Sequence, residues 1–105
     1  MDSEFTLVKT MNKYRDKSDF EINELVSFSL GYVHTKSFAP CNNPADAMPI
    51  VIENCIGLLP YKNSSPLAFD LHKGLGRGIL VENKNIYRAA MEVFLMMKEA
   101  ENEKV

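Results

Sequence analysis

The sequence predicts an α+β domain in which three helices pack on a small antiparallel sheet of two or three strands. Helix-capping residues precede segments whose apolar residues recur at helical spacing, whereas residues 56–83 hold short apolar runs separated by turn residues. The order is helix, helix, strands, helix. A chain of 105 residues with 46% apolar composition can bury one core without disulfides or metals.

The first helix is predicted from Ser18 to Gly31. Ser18 and Glu21 have the spacing of a capping box, in which each side chain accepts a hydrogen bond from the other residue's backbone N–H. Ile22 and Val26 begin an apolar face at helical spacing. Gly31 can take the left-handed conformation that often ends a helix.

The second helix is predicted over residues 44–54, with Asn43 as its N-cap and a proline in the first helical position. Two features oppose a helix here. Pro49 cannot donate a backbone hydrogen bond, and residues 50–52 (Ile-Val-Ile) favour strands. The balance favours a helix that is bent near Pro49, and Gly57 can end it.

The sheet is predicted from the segments 56–61, 66–71 and 78–83, which are short and rich in apolar residues. Glycine, serine, asparagine and lysine dominate the segments between them, as is typical of turns. Pro60 and Pro66 are expected at strand ends, because proline cannot donate to a sheet.

The last helix is predicted from Ile86 to about Glu101, with Asn85 as its cap. It is apolar on more than one side. It therefore lies between the sheet and another helix, or it lines a dimer interface. The interface candidates are the apolar residues outside its main face: Met91, Leu95 and Met96.

Composition excludes several classes of protein. Twelve basic and fourteen acidic residues give a net charge of −2, which is unlike the basic surplus of nucleic-acid-binding proteins. No apolar run reaches the roughly 20 residues that cross a bilayer, and no signal peptide is recognisable. We expect a single domain over residues 11–105, acting in a reducing cytoplasm. Residues 1–10 are expected to be a lead-in that is either poorly ordered or not native.

Three motifs carry a resemblance: SDFEIN, CNNPADAMPIVIENCIG and IYRAAMEVFLMMKEA, in that order and spacing. Together they resemble the NinX-like family of small uncharacterised proteins of lambda-like tailed phages. The resemblance covers roughly residues 11–100. It implies a phage accessory protein expressed in the host cytoplasm, and it supports the second helix. The family carries no established activity, so no site residue is implied.

Polar residues at the start of the second helix, Asn42, Asn43 and Asp46, could hold an anion or a partner's backbone. Helix caps use the same residue types, and capping is the more common explanation. Glu53 and Asn54, at the other end of this helix, suggest a specific contact, because a carboxylate there opposes the helix dipole. Surface exposure is the simpler explanation for both.

The segment 72–78 (HKGLGRG) is a basic, glycine-rich loop. Its backbone N–H groups could bind a phosphate, with Lys73 and Arg77 adding positive charge. It lacks the spacing of a Walker loop or a dinucleotide-binding fingerprint. A flexible hairpin is the more common structure for such a sequence.

Arg88 either forms an exposed pair with Glu92, four positions later, or lies at a seam and reaches a carboxylate such as Glu53. The second alternative is preferred. Cys55 falls on the apolar face of the second helix and is expected to be buried. Neither the cysteines nor the histidines have the close spacing of zinc ligands, and no catalytic residue or cofactor is predicted.

These observations favour a noncatalytic interaction module that binds a host or phage protein and forms a homodimer. The dimer rests on the methionine-rich segment of the last helix, since such surfaces adapt to partners. The alternative is a small-ligand or phosphate-binding protein that uses the 72–78 loop or the 42–46 cap. A small enzyme ranks last. Neither nucleic acid nor a membrane is an expected partner.

Overall fold

The computed structural model describes residues 12–32, 37–73 and 78–103. The described elements are three helices and three strands: α1 (Asp19–Ser29), α2 (Pro44–Glu53), β1 (Ile56–Leu59), β2 (Leu67–Asp70), β3 (Leu80–Glu82) and α3 (Ile86–Glu103). The predicted α+β fold and the predicted element order are confirmed. The expectations for residues 1–10 and for Arg77 concern parts of the chain outside the described residues.

The three strands form an antiparallel sheet in the order β1, β2, β3. Gly57 pairs with Phe69, which in turn pairs with Leu80. Pro60 directly follows β1 and Pro66 directly precedes β2. Both prolines therefore lie at strand ends, as their missing N–H donor requires.

Helix α3 lies between the sheet and the other two helices. It contacts all three strands as well as α1 and α2. Its apolar residues therefore have partners on more than one side within a single chain. The buried core along it consists of Ala89, Ala90, Met91, Val93, Phe94 and Leu95, packed against residues that include Ile22, Val26, Ile50, Val51, Ala68 and Val81.

Helix α1 begins and ends as the sequence predicts. Ser18 Oγ accepts from the N–H of Glu21, and the Glu21 carboxylate accepts from the N–H of Ser18. At the other end Gly31 has a φ of 76°. The N–H groups of Gly31 and Tyr32 donate to the carbonyls of Phe28 and Ser27, which is the Schellman pattern.

Helix α2 continues through Pro49 but ends before Gly57. Asn54 caps it, and Cys55 takes the left-handed conformation with a φ of 54°. Cys55 is exposed, so the expectation of a buried thiol was wrong. Gly57 has another role. A Cβ there would lie 2.6 Å from Cε1 of Phe69, so the ring packs directly over the glycine.

Candidate protein-docking groove

The polar residues at the start of α2 are occupied by contacts within the fold. Asn43 Oδ1 accepts from the N–H of Ala45 at 3.0 Å, which caps the helix. Asp46 Oδ2 accepts from the N–H of Ala39 at 2.9 Å. Asn42 Nδ2 donates to Asp19 at 3.1 Å. These contacts fit the capping interpretation of the 42–46 segment.

The other described binding candidates lie at the end of α2 and just after β2. Glu53 is exposed, while Asn54 Nδ2 donates to the carbonyl of Ile50 at 2.9 Å. Lys73 is also exposed, and its aliphatic stem lies against Gly78. These three residues line neither of the two clefts described below.

Arg88 lies at a buried seam, but its partners differ from the predicted one. Only 6% of Arg88 and 1% of Glu92 are exposed. Arg88 Nε donates to Glu92 at 2.5 Å, and Nη1 donates to Asp19 at 2.6 Å. Arg88 thus reaches a carboxylate at a seam, but the carboxylate is Asp19 and not Glu53, and its pair with Glu92 forms in the interior, not at the surface. Burial opposes the charged guanidinium, but the bonds to Asp19 and Glu92 outweigh it and raise the pKa of Arg88.

The Arg88 guanidinium also holds the chain that leads into α1. Its Nη2 donates to the carbonyls of Lys17 at 2.6 Å and Tyr14 at 3.0 Å. Glu92 accepts a further bond from Asn12 Nδ2 at 2.8 Å. One buried cation thus fixes residues 12–19 against the start of α3. This arrangement is structural, because every polar group in it already has a partner within the chain.

The same contacts set the direction of α1. Asp19, at the start of α1, meets Arg88, near the start of α3. Phe28 and Ser29, at the end of α1, lie across a shared groove from Asn102, near the end of α3. The two helices therefore run in the same direction, and both carboxyl ends lie at one end of the groove.

This groove has a volume of about 370 Å³ and is open to solvent. We call it the α1–α3 groove. It is lined by Tyr14, Leu25, Phe28, Ser29, Leu95, Lys98, Glu99 and Asn102. Phe28 is 83% exposed, the highest value among the exposed large apolar residues that the structure describes. Phe28 therefore leaves an apolar ring in contact with water beside the groove.

Glu99 closes one side of the groove through contacts with the chain before α1. It forms an ion pair with Lys13 and accepts a hydrogen bond from the Tyr14 hydroxyl at 3.4 Å. Burial and the nearby Glu99 carboxylate raise the pKa of Tyr14. The hydrogen bond to Glu99 holds the Tyr14 ring as part of the groove lining.

The predicted interface residues are only partly available at the surface. Met91 is fully buried and Leu95 is 6% exposed, so their burial requires no second copy of the chain. Met96 is half-buried. Leu95 nevertheless lines the α1–α3 groove, where a partner could reach it. Sequence reasoning missed Phe28, although a bulky aromatic residue outside the apolar face of Ile22 and Val26 was the available signal.

A second cleft, of about 380 Å³, lies beside β3. It is more polar and is lined in part by Arg15, Asp16, Glu82 and Asn83. Glu92 also reaches it, but Arg88 and Asn12 already occupy both oxygens of that carboxylate.

Metal and thiol chemistry find little support in the described part of the chain. There, no three histidine, cysteine or acidic side chains are grouped so that they could hold a metal ion. Burial raises the pKa of the Cys41 thiol to about 12, so this thiol is protonated at neutral pH.

No helix in the described ranges is long and apolar enough to cross a membrane.

Comparison with protein families decides the relationship that the three motifs suggest. The family described as "Bacteriophage P22, NinX" matches residues 10–98, which is most of the chain. The protein belongs to the phage NinX family. The matched range contains the Arg88 cluster and most residues of the α1–α3 groove. Comparisons with curated proteins and with solved structures found no match.

Proposed function

We propose that this NinX-family protein is a noncatalytic interaction module that binds a host or phage protein in the host cytoplasm. The α1–α3 groove is the docking site. The observation that carries the proposal is the exposure of Phe28 beside this groove. Apolar side chains of Leu25 and Leu95 continue the surface inward, so a partner's side chain could be buried against all three.

The shape of the groove suits a protein partner. Its walls are two parallel helices, and a third helix or an extended segment can lie between such ridges. Arg88 bonds Asp19 and the carbonyl of Lys17 at the start of α1, so this helix is held in place before binding. A preformed surface loses less conformational entropy on association.

The matching experiment is capture of partners from phage-infected host lysate with three baits: the wild type, Phe28→Ala and Ile52→Ala. Ile52 is 70% exposed but lies on α2, so Ile52→Ala controls for nonspecific binding by an exposed apolar side chain. We expect one reproducible protein that the wild type and Ile52→Ala retain and Phe28→Ala loses. A partner retained equally by all three baits would place docking elsewhere.

A stability control makes this result interpretable. Phe28→Ala should change the free energy of unfolding by less than about 0.5 kcal/mol, because the side chain lies in water. Ile22→Ala, on the buried face of the same helix, should cost about 2–5 kcal/mol. Urea unfolding of both variants measures the difference.

Two earlier predictions keep their own tests. Homodimer formation is tested by sedimentation at micromolar concentration, and its contacts would have to exclude the fully buried Met91. Phosphate binding by the 72–78 loop is tested by titrating phosphate into the wild type and into a variant with Lys73 and Arg77 replaced by alanine. Equal binding, or none to either protein, would contradict a role for the loop.

A further inference from the structure

We infer that the outer edge of β3 accepts an extended segment of another protein, which adds to the sheet as a further strand with a basic residue opposite Glu82 and an apolar residue opposite Leu80. The cleft beside β3 shares no lining residue with the α1–α3 groove. The site therefore goes beyond the proposed function and does not depend on it. Three features carry the inference: unpaired backbone groups, a preformed cleft and the side chains at the edge.

Strand β3 lies at the edge of the described sheet, where β2 is its only neighbouring strand. The Asp70 N–H donates to the carbonyl of Ile79 at 3.2 Å, and the Asn83 N–H donates to the carbonyl of Pro66 at 3.1 Å. In an antiparallel ladder, hydrogen-bonded pairs alternate with pairs that are not hydrogen-bonded. Residues 79, 81 and 83 therefore direct their backbone groups towards β2.

The residues between them direct their backbone groups away from the sheet. These are Leu80 and Glu82, and neither has a backbone partner in another element of the described chain. Each presents one N–H donor and one C=O acceptor on the same side, with the spacing of a strand. Such an edge can pair with an extended segment of another protein, whose main-chain hydrogen bonds supply the affinity.

A cleft of about 380 Å³ already lies beside this edge. It is lined by residues 80–83 and, from the segment before α1, by Asn12, Arg15 and Asp16. The position of Asn12 is fixed by its hydrogen bond to Glu92, at 2.8 Å. A strand added to β3 would therefore enter a preformed cleft and would contact the segment before α1 as well as the sheet.

The side chain of Leu80 defines the apolar position. Gly57 pairs with Phe69, and Phe69 pairs with Leu80, so the three residues form one row across the sheet. Ala68 and Val81 belong to the core that includes α3, whereas Phe69 and Leu80 do not, so this row lies on the other face. Leu80 is half-buried at the end of the row. An apolar side chain opposite it would extend the row by one strand.

The side chain of Glu82 defines the charged position. It is exposed and forms no ion pair in the described part of the chain. Opposite charges on directly paired residues stabilise a sheet, and like charges destabilise it. Arg15 and Asp16, which also line the cleft, carry one charge of each sign. An antiparallel partner strand should therefore read, from its amino end, lysine or arginine, then any residue, then an apolar residue.

A second copy of the chain matches this edge less well. If two β3 strands paired about a two-fold axis at Val81, Leu80 would lie opposite Glu82 of the other copy. Neither the apolar position nor the charged position would then meet a matching side chain. The edge thus favours a segment of a different protein.

Synthetic peptides of seven residues test the inference on the unmodified protein. The parent peptide has lysine, threonine and leucine at its three central positions and threonine elsewhere. Fluorescence anisotropy measures Kd, and amide chemical-shift changes in labelled protein locate the contact. We expect saturable binding with shifts concentrated at residues 80–83, and glutamate in place of the lysine should weaken it about two- to fivefold. No saturable binding of the parent peptide would overturn the inference.

Two N-methylated peptides separate backbone pairing from side-chain contact. In the expected register the leucine amide donates to β3, while the amide of the central threonine points away. Methylation of the leucine amide should therefore weaken binding at least tenfold, and methylation of the central threonine amide should leave Kd within about twofold. Equal effects of the two methyl groups would show that the peptide does not pair with the edge.

Protein variants make the matched comparison on the other side of the contact. Glu82→Thr removes only the carboxylate and should weaken binding of the parent peptide about two- to fivefold. Glu82→Pro also removes the outward N–H and should weaken it at least tenfold. Because this N–H takes no part in pairing with β2, proline is compatible with the edge position. Equal Kd values for the two variants would contradict backbone pairing.

The remaining outcomes identify other occupants. Phe28→Ala should leave the Kd of the parent peptide unchanged, because Phe28 lies in the α1–α3 groove. Peptide binding that Phe28→Ala abolishes would place the peptide in that groove and overturn the edge site. Self-association that Glu82→Pro abolishes would make a second copy the occupant and overturn the inference as well.

Discussion

Replacing Arg88 by methionine tests the buried cation on which the arrangement of α1 and α3 depends. The change removes the donors to Glu92, Asp19 and the carbonyl of Lys17. It leaves the Glu92 carboxylate, 1% exposed, with Asn12 as its remaining hydrogen-bond partner. Removing one partner of a buried ion pair costs about 3–5 kcal/mol, because the other charge stays buried and uncompensated.

A double-mutant comparison separates this penalty from lost packing. Arg88→Met with Glu92→Leu removes both buried charges, so the double variant should be more stable than Arg88→Met alone. Arg88→Lys keeps the charge but cannot present the same fork of donors. It should lose about 1–3 kcal/mol, the cost of leaving buried polar groups unsatisfied.

Urea unfolding of these variants at 25 °C gives the free energies directly. The expected loss for Arg88→Met corresponds to a fall in Tm of more than about 12 °C for a domain of this size. A loss below about 1 kcal/mol would show that Arg88 is not needed to compensate the buried Glu92 carboxylate. So would a double variant that is no more stable than Arg88→Met, since the buried carboxylate would then not be the source of the penalty.

Three further changes test separate features. Gly57→Ala should cost about 1–3 kcal/mol through overpacking against Phe69, and adding Phe69→Leu should recover part of it in urea unfolding. Because burial raises the pKa of Cys41 to about 12, the buried thiol contributes stability that is fully present below pH 9. This contribution is lost as pH rises towards 12 and the thiol ionises. Between pH 9 and 10.5 the free energy of unfolding should therefore fall by about 2 kcal/mol. Cys41→Ala should abolish this fall and Cys55→Ser should retain it. Equal pH profiles of stability for the two variants would contradict the role of Cys41. Ser18→Ala should cost about 1 kcal/mol by removing the cap of α1, and an unchanged Tm would contradict that role.

The sequence was sufficient where structure depends on local chemistry. The cap at Ser18, the left-handed Gly31 and the cap at Asn85 each act within a few residues, and each lies where it was predicted. The α2 helix formed despite Pro49 because its start signals were strong and its apolar residues Ile50 and Val51 pack in the core. Local signals and tertiary packing agree at these positions.

Prediction failed where distant segments meet. Arg88 and Glu92 have the spacing of an ordinary surface ion pair. No pattern in the sequence around them shows that Arg88 also bonds Asp19, which lies 69 positions earlier in the chain. The left-handed conformation of Cys55 after α2 was missed because Gly57 was the expected residue to take it. Phe28 was missed because exposure depends on which side of α1 the rest of the molecule covers.

The most direct test of the docking claim is site-specific photocrosslinking in infected cells. A benzophenone amino acid is placed at position 28 in one protein and at position 52 in another; both positions are exposed but lie on different helices. If the α1–α3 groove is the docking site, we expect one discrete cross-linked protein from position 28 and none of the same mass from position 52. The same product from both positions, or from position 52 alone, would contradict a docking site in the α1–α3 groove.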